Sequence, residues 1–145
     1  MKTDLLAKAS IVIQTDVRTV WNALINPKVI KEYLFGTEAY SDWKVGSRIS
    51  FKGVWEGKPY EDGGIITAIE PEETFRYTYW SAMFGTPDME ENYAHISYDL
   101  ETLDSGVRLT VCQDNVKTEE ARVHLEQNWK RVLQSMKQLL ENTKK

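Results

Sequence analysis

The sequence predicts an α+β fold in which an antiparallel sheet packs against one long C-terminal helix. Two patterns carry this prediction. Residues from about 38 to 113 alternate apolar and polar side chains with a period of two, which is typical of strands with one buried face. Residues 118–141 contain no Gly or Pro and repeat their apolar positions with helical spacing. Strands joined by short turns form an antiparallel meander, so we expect the helices to pack on one face of a single sheet.

The chain begins with the pattern of a strand and two short helices. Apolar and polar residues alternate over 7–13, as in a strand with one buried face. Thr15 or Asp16 can cap a first helix, and Asn26 with Pro27 can begin a second one. The apolar stripe of the first helix consists of Val17, Val20, Trp21, Leu24 and Ile25.

The sheet region follows the second helix, which Gly36 can end in the left-handed conformation. About six strands are expected here. Turn residues separate them at 56–59, 70–73 and 104–106, and a longer loop covers 81–91. The clearest strand patterns lie at 48–55, in a stretch that ends at Ile69, at 75–79, at 94–100 and at 107–113.

The C-terminal helix is the longest predicted element. It runs from Thr118 to about Glu141, and Glu119 and Glu120 suit the positive end of its dipole. At about 1.5 Å per residue it reaches roughly 36 Å, enough to cross a small sheet. Its apolar positions are Ala121, Leu125, Trp129, Val132, Leu133, Met136, Leu139 and Leu140.

Composition indicates one globular domain spanning residues 1–145, with no repeat or linker. The net charge is −4 and basic residues are scattered singly, so the sequence argues against binding of nucleic acid or anionic membranes. Cys112 is the only cysteine, which excludes an internal disulfide and any metal site built on a cysteine pair.

Sequence patterns also predict a location and the absence of common cofactors. The first residues lack an apolar run of signal-peptide length, and no apolar stretch approaches twenty residues. We therefore expect a cytoplasmic protein without a membrane span. No H-E-x-x-H spacing and no Gly-rich phosphate motif occurs, so we expect no metal and no cofactor.

Three stretches resemble a known superfamily. Within the START-like (SRPBCC) superfamily, the sequence is most similar to the group related to the activator of the Hsp90 ATPase. Ser47 and Asn128 depart from the group's pattern, since a glycine is common at both positions. The matching stretches are VWNAL at 20–24 with the segment 27–35 after it, DWKVGSRI at 42–49, and WKRVL at 129–133 with its continuation to 141.

The resemblance covers nearly the whole chain and implies the helix-grip fold. In that fold a curved antiparallel sheet of about six or seven strands wraps around the C-terminal helix, with two short helices after the first strand. Members of the wider superfamily bind lipids, hormones or aromatic polyketides, and some catalyse cyclisation. Fold alone does not fix function, so the resemblance leaves the activity open.

Few side chains offer covalent chemistry. His95 and Cys112 have the strand phase of outward-facing residues, and His124 lies one position off the apolar stripe of the long helix. We expect solvated or boundary histidines and an unreactive cysteine. The acidic clusters at 70–73 and 88–91 fall in turns, where carboxylates are usually solvated. The sequence therefore identifies no catalytic residue.

Amphipathic residues in the inward phase are the informative ones. A purely structural core favours Leu, Ile and Val, whereas inward tyrosines and a glutamine need partners, water or a ligand. Apolar walls with a few polar points are typical of small-molecule sites. The predicted ligand-binding residues are Phe51, Trp55, Tyr77, Tyr79, Ile96, Tyr98, Gln113, Leu125 and Trp129.

Three functions from different classes remain open at this stage. The leading hypothesis is non-catalytic binding of a small hydrophobic or aromatic molecule between the sheet and the long helix. The second is a protein-interaction module similar to the Hsp90 activator, acting as a co-chaperone or in a stress response, with a chaperone as partner. The third is a cyclase or hydrolase, which requires a positioned acid–base pair. The ligand and the oligomeric state are not predicted.

Overall fold

Seven antiparallel strands form one sheet within residues 5–81 and 86–142, the parts of the chain that the computed structural model describes. The strands are β1 (Leu5–Ile13), β2 (Glu38–Ser41), β3 (Arg48–Trp55), β4 (Lys58–Glu70), β5 (Thr74–Tyr79), β6 (Ala94–Leu103) and β7 (Gly106–Val116). The helices are α1 (Val17–Ile25), α2 (Pro27–Tyr33) and α3 (Glu119–Asn142), and a 3-10 turn covers Glu90–Asn92. The predicted α+β architecture is confirmed.

The strand order across the sheet is β1-β7-β6-β5-β4-β3-β2. Strands β2 to β7 follow one another as the predicted meander, and β1 pairs with β7. Register shifts between Leu5 and Ala7 and between Ile66 and Ala68 mark irregular pairings that bend a sheet. Within the predicted loop 81–91, residues 82–85 lie outside the described residues.

Local capping explains where the short helices begin and end. Of the two candidate caps for α1, Asp16 performs the role: its carboxylate accepts a hydrogen bond from the Thr19 backbone N–H at 2.8 Å. Asn26 caps α2 through a bond from the Lys28 N–H at 3.0 Å, and Pro27 occupies the first turn as predicted. The helix ends at Tyr33 with Leu34 as its C-cap, and the left-handed conformation begins at Phe35 (φ +56°), one residue before the predicted Gly36 (φ +94°).

The C-terminal helix packs its predicted apolar stripe toward the sheet. Leu133, Met136 and Leu140 are fully buried, while Trp129 and Val132 are partly buried against the same core. Thr118 caps the helix, since its hydroxyl accepts a bond from the Ala121 N–H at 3.0 Å. The helix thus covers the inner face of the sheet, where most buried side chains lie.

Polar side chains of α3 also bind the backbone of β1. The Glu126 carboxylate accepts a hydrogen bond from the Lys8 N–H at 3.1 Å, and Glu141 accepts one from the Gln14 N–H at 2.8 Å. Lys137 donates to the Val12 carbonyl at 2.9 Å. Because β1 is at the edge of the sheet, these bonds occupy backbone groups for which the sheet supplies no further strand.

None of the helices described within residues 5–81 and 86–142 has the length and apolar character needed to cross a bilayer.

Candidate functional site

Aromatic rings from three strands form a continuous wall on the inner face of the sheet. Phe51 lies on β3, Tyr77 and Tyr79 on β5, and Tyr98 on β6. These rings face the same side because alternate residues of a strand project to one face. The ring centroids of Phe51 and Tyr77 are 5.6 Å apart, and those of Tyr77 and Tyr98 are 6.5 Å apart. Tyr79 extends the wall, 6.1 Å from Phe51.

Tyr77 and Tyr98 are buried neighbours on the inner face. The two side chains are 5% and 3% exposed. Burial raises the pKa of Tyr77 well above its usual range, and the neighbouring Tyr98 adds to the rise. Burial also raises the pKa of Tyr98, although Tyr77 opposes this. Both phenols therefore stay neutral at physiological pH.

A second polar pair joins the sheet to α3. The Trp129 indole N–H donates to the Gln113 carboxamide oxygen at 3.0 Å. Trp129 also meets the ring of Tyr98 edge to face, with 5.9 Å between centroids and an interplanar angle of 87°. Gln113 is 6% exposed on β7, opposite Ile96 in the β6–β7 register. Gln113 therefore faces inward as predicted, and its buried amide oxygen has a hydrogen-bond partner within the protein.

The remaining predicted site residues are placed as follows. Ile96 is fully buried and pairs with Tyr77 across β5 and β6. Leu125 is partly buried on α3. Trp55 is the last residue of β3, and its side chain lies outside the described residues. The structure therefore brings together the four wall rings, Ile96 and the Gln113–Trp129 pair.

Asp62 is a further buried polar residue on this face, and it is absent from the set predicted by the sequence. It pairs with Phe51 in the β3–β4 register and is only 7% exposed. Its Oδ2 accepts a hydrogen bond from the Tyr79 hydroxyl at 2.8 Å. Its Oδ1 is buried and has no hydrogen-bond partner within residues 5–81 and 86–142.

Tyr79 links Asp62 to a second buried hydroxyl. Burial raises the pKa of Tyr79, and the charge of Asp62 and their hydrogen bond raise it further. A hydrogen bond from the buried Ser81 hydroxyl acts in the opposite direction. Ser81, Tyr79 and Asp62 therefore form a short chain of hydrogen bonds that ends at Asp62 Oδ2. The other carboxylate oxygen, Oδ1, takes no part in this chain.

The histidine and cysteine candidates lie away from the inner face: His95 and Cys112 on the outer face of the sheet, and His124 on α3. His95 is exposed as predicted, but it has a partner that the sequence did not identify: its ring Nδ1 lies 3.0 Å from Asp114 Oδ2 on β7. Cys112 is partly buried, and burial raises the pKa of its thiol, which lowers the thiolate fraction. His124 is exposed and lines an open surface hollow of about 720 Å³ on the first turns of α3.

Among residues 5–81 and 86–142, no cluster of three or more His, Cys, Asp or Glu side chains is arranged to hold a metal ion.

Comparison with known proteins gives the family. The family model described as "Activator of Hsp90 ATPase homolog 1-like protein" matches residues 14–141. The chain belongs to this family. The resemblance carried by the stretches at 20–24, 42–49 and 129–133 is thereby confirmed. No match was found among the curated proteins.

Solved structures show how widely this fold is shared. ChR145 from Cytophaga hutchinsonii is 43% identical, with a TM-score of 0.86 over 99% of this chain and 98% of that chain. The Aha1 dimer from Colwellia psychrerythraea is 21% identical, with a TM-score of 0.74 over 94% and 96%. DynU16, a protein in the dynemicin biosynthetic locus, is 14% identical, with a TM-score of 0.79 over 96% and 48%. The last two likenesses show the fold alone.

The family-like stretch at 42–49 forms the turn into β3. Gly46 adopts φ +91°, a conformation that favours glycine, and its N–H donates to the Ile66 carbonyl at 2.8 Å. The Ser47 carbonyl in turn accepts from the Ile66 N–H at 2.9 Å. In this member of the Hsp90-activator-like family, Ser47 is not among the residues with a positive φ, so a side chain is tolerated where a glycine is common.

Proposed function

We propose that this member of the Hsp90-activator-like family binds a small, mainly apolar or aromatic molecule between the sheet and α3, without covalent chemistry. The observation that carries the proposal is the aromatic wall of Phe51, Tyr77, Tyr79 and Tyr98 on the inner face. Trp129 of α3 meets this wall from the opposite side, at Tyr98.

The choice of side chains supports binding over a purely structural role. Each buried tyrosine hydroxyl needs a hydrogen-bond partner, a requirement that Leu, Ile or Val would avoid. Aromatic rings offer flat apolar surface with a few fixed polar points, the combination that small-molecule sites use for affinity and orientation. The inner face carries both properties, whereas the histidine and cysteine candidates lie on other surfaces.

A chaperone is the second candidate partner. It is favoured by the family description, which names an activator of the Hsp90 ATPase, and by the likeness to the Colwellia Aha1 dimer. Such an interaction would use an outer surface and would leave the inner wall without a ligand. The two candidates therefore differ in which side of the sheet is engaged.

Tryptophan fluorescence tests the first candidate directly, because the chain has five tryptophans and one of them meets the wall. Wild type is titrated with 2-naphthol, 4-octylphenol and decanoic acid. Tyr98→Phe removes an inner hydroxyl, and Tyr40→Phe on the exposed part of β2 is the matched control.

Saturable binding that Tyr98→Phe alters by roughly two- to twelve-fold, with Tyr40→Phe unchanged, supports the proposal. Saturable binding that neither variant alters would place the ligand elsewhere. Absence of saturable binding to the whole panel, together with a stable complex with purified Hsp90, would replace the proposal with the second candidate.

A further inference from the structure

We propose that Asp62 is the polar anchor of the inner site, and that the ligand carries a hydroxyl or amine donor that binds Asp62 Oδ1. The inference rests on the proposed function, because it names the polar group of the molecule bound there. It predicts an alcohol, phenol or amine attached to an apolar body, as distinct from a hydrocarbon, ether or carboxylic acid.

The first argument is the unfilled acceptor. Asp62 is 7% exposed, and Oδ1 has no partner within residues 5–81 and 86–142, whereas Oδ2 is bound by Tyr79. A buried carboxylate oxygen without a hydrogen bond is costly, and buried polar groups in native proteins are almost always paired. A hydrogen-bond donor on a ligand would satisfy this atom.

The second argument is position. Asp62 faces the same side as Phe51, its partner in the β3–β4 register, and its carboxylate holds the hydroxyl of Tyr79. Both rings belong to the aromatic wall. We therefore expect a molecule whose apolar body lies on these rings to direct its polar group toward Oδ1. On β4, two residues before Asp62, the Tyr60 hydroxyl is already hydrogen-bonded to the Thr37 hydroxyl at 2.7 Å.

The third argument is charge selection. The bonds from Tyr79 and Ser81 make a chain of donors that all point toward Asp62, so the carboxylate is the terminal acceptor. A carboxylate with an open oxygen attracts donors and repels anionic groups. Fatty-acid-like ligands are therefore disfavoured at this end of the site, while hydroxyls and amines are favoured.

The test compares matched ligands on three scaffolds: naphthalene, indane and octane, each as the alcohol, the primary amine and the methyl ether. Affinities are measured by NMR titration of the labelled full chain, which also reports which residues shift. Wild type is compared with Asp62→Asn and with Asp104→Asn, a matched control in the exposed β6–β7 turn. Asp62→Asn keeps the shape of the side chain but replaces one acceptor oxygen with an NH₂ group.

Wild type is expected to bind the alcohol or the amine roughly 10- to 150-fold more tightly than the methyl ether of the same scaffold, as for a hydrogen bond to a charged group. Asp62→Asn should reduce that preference to about two-fold, and Asp104→Asn should preserve it. If Asp62→Asn fails to fold, the affinities of wild type for the alcohol or amine and for the methyl ether still test whether a ligand donor is bound.

Equal binding of donor and ether by wild type would overturn the anchor, since Oδ1 would then be satisfied by water, but it would leave the proposed function standing. Absence of binding on every scaffold would overturn both. Tighter binding of the amine than of the alcohol would indicate that the natural ligand carries a cationic donor, and the reverse would indicate a neutral hydroxyl. Either result supports Asp62 as the anchor.

Discussion

The indole N–H of Trp129 donates to the buried carboxamide of Gln113 at 3.0 Å, which fixes α3 against β7 by one specific bond. The same indole meets Tyr98 edge to face. Trp129 therefore contributes in two ways: its ring packs on the aromatic wall, and its N–H satisfies a buried amide. Because these two contributions use different atoms, substitutions can separate them.

Truncation of Trp129 is expected to destabilise the fold strongly. Replacing a core tryptophan by alanine costs about 3–5 kcal/mol, and a partly buried one such as Trp129 belongs at the lower end. Trp129→Ala also leaves the Gln113 amide without its partner, which costs about 1–3 kcal/mol more. We expect a fall in the thermal midpoint of about 10 °C or more, measured by circular dichroism.

Two variants serve as controls. Trp129→Phe should lower the thermal midpoint less than Trp129→Ala, and the exposed Lys130→Ala should leave it almost unchanged. Equal melting of all three variants would contradict the assigned helix face.

The proximity of Tyr77 and Tyr98 is expected to appear as coupling between two substitutions. Tyr77→Phe and Tyr98→Phe should each cost about 1 kcal/mol of unfolding free energy, because each removes a buried hydroxyl whose pKa the other tyrosine affects. The double variant should cost less than the sum by about 0.5–1 kcal/mol, since an interaction shared by the two side chains is lost only once. Urea unfolding of the four proteins measures this difference. Strict additivity would mean that the two hydroxyls do not interact.

Glu141 predicts a specific acid sensitivity. Its pKa is lowered first by the hydrogen bond from Lys137 and then by the bond from the Gln14 N–H. A carboxylate whose pKa is lower in the folded state stabilises above its unfolded pKa, and this stabilisation is lost as pH falls through the folded value. Between about pH 5 and pH 3 the wild type should therefore lose thermal stability faster than Glu141→Gln. Parallel curves for the two proteins would contradict the prediction.

Gly64 is expected to tolerate no side chain. A Cβ atom at this position would lie 2.0 Å from the Thr78 carbonyl oxygen, so the backbone of β4 or β5 would have to move. Such overpacking costs about 1–3 kcal/mol, and a clash with backbone belongs at the upper end. Gly57→Ala is the control: its Cβ would meet nothing within 4 Å, although φ +80° strains it by about 1 kcal/mol. Chemical denaturation should rank Gly64→Ala well below Gly57→Ala, and the opposite order would disprove the close approach.

The spacing of apolar residues and the helix-capping residues predict most of the fold, because both depend only on residues close in sequence. Asn26 and Pro27 begin α2 as predicted, and Gly36 adopts a positive φ shortly after the helix ends. The strand phase likewise assigns Tyr77 and Tyr98 to the inner face and His95 to the outer face. Between Thr15 and Asp16, however, both residues suit a cap, and only the backbone geometry selects Asp16.

Pairwise partners were beyond prediction because they depend on strand register. The ring contact of Tyr77 with Tyr98 and the contact of His95 with Asp114 each join neighbouring strands whose alignment is set by turns and bulges. Asp62 shows the same limit. An acid beside two glycines is typical of a turn, and its burial follows only once β3 and β4 are aligned so that Phe51 lies opposite.

The attachment of α3 to β1 has a consequence for the behaviour of the protein in a crowded solution. An exposed strand edge is a template on which another chain can add a strand, the first step of aggregation. The bonds from Glu126, Glu141 and Lys137 occupy this template along β1, while the opposite edge, β2, offers only the four residues Glu38–Ser41. The end of the long helix therefore also protects this edge: loss of the turns that carry Lys137 and Glu141 would expose the backbone of β1 near Val12 and Gln14 to pairing with another chain.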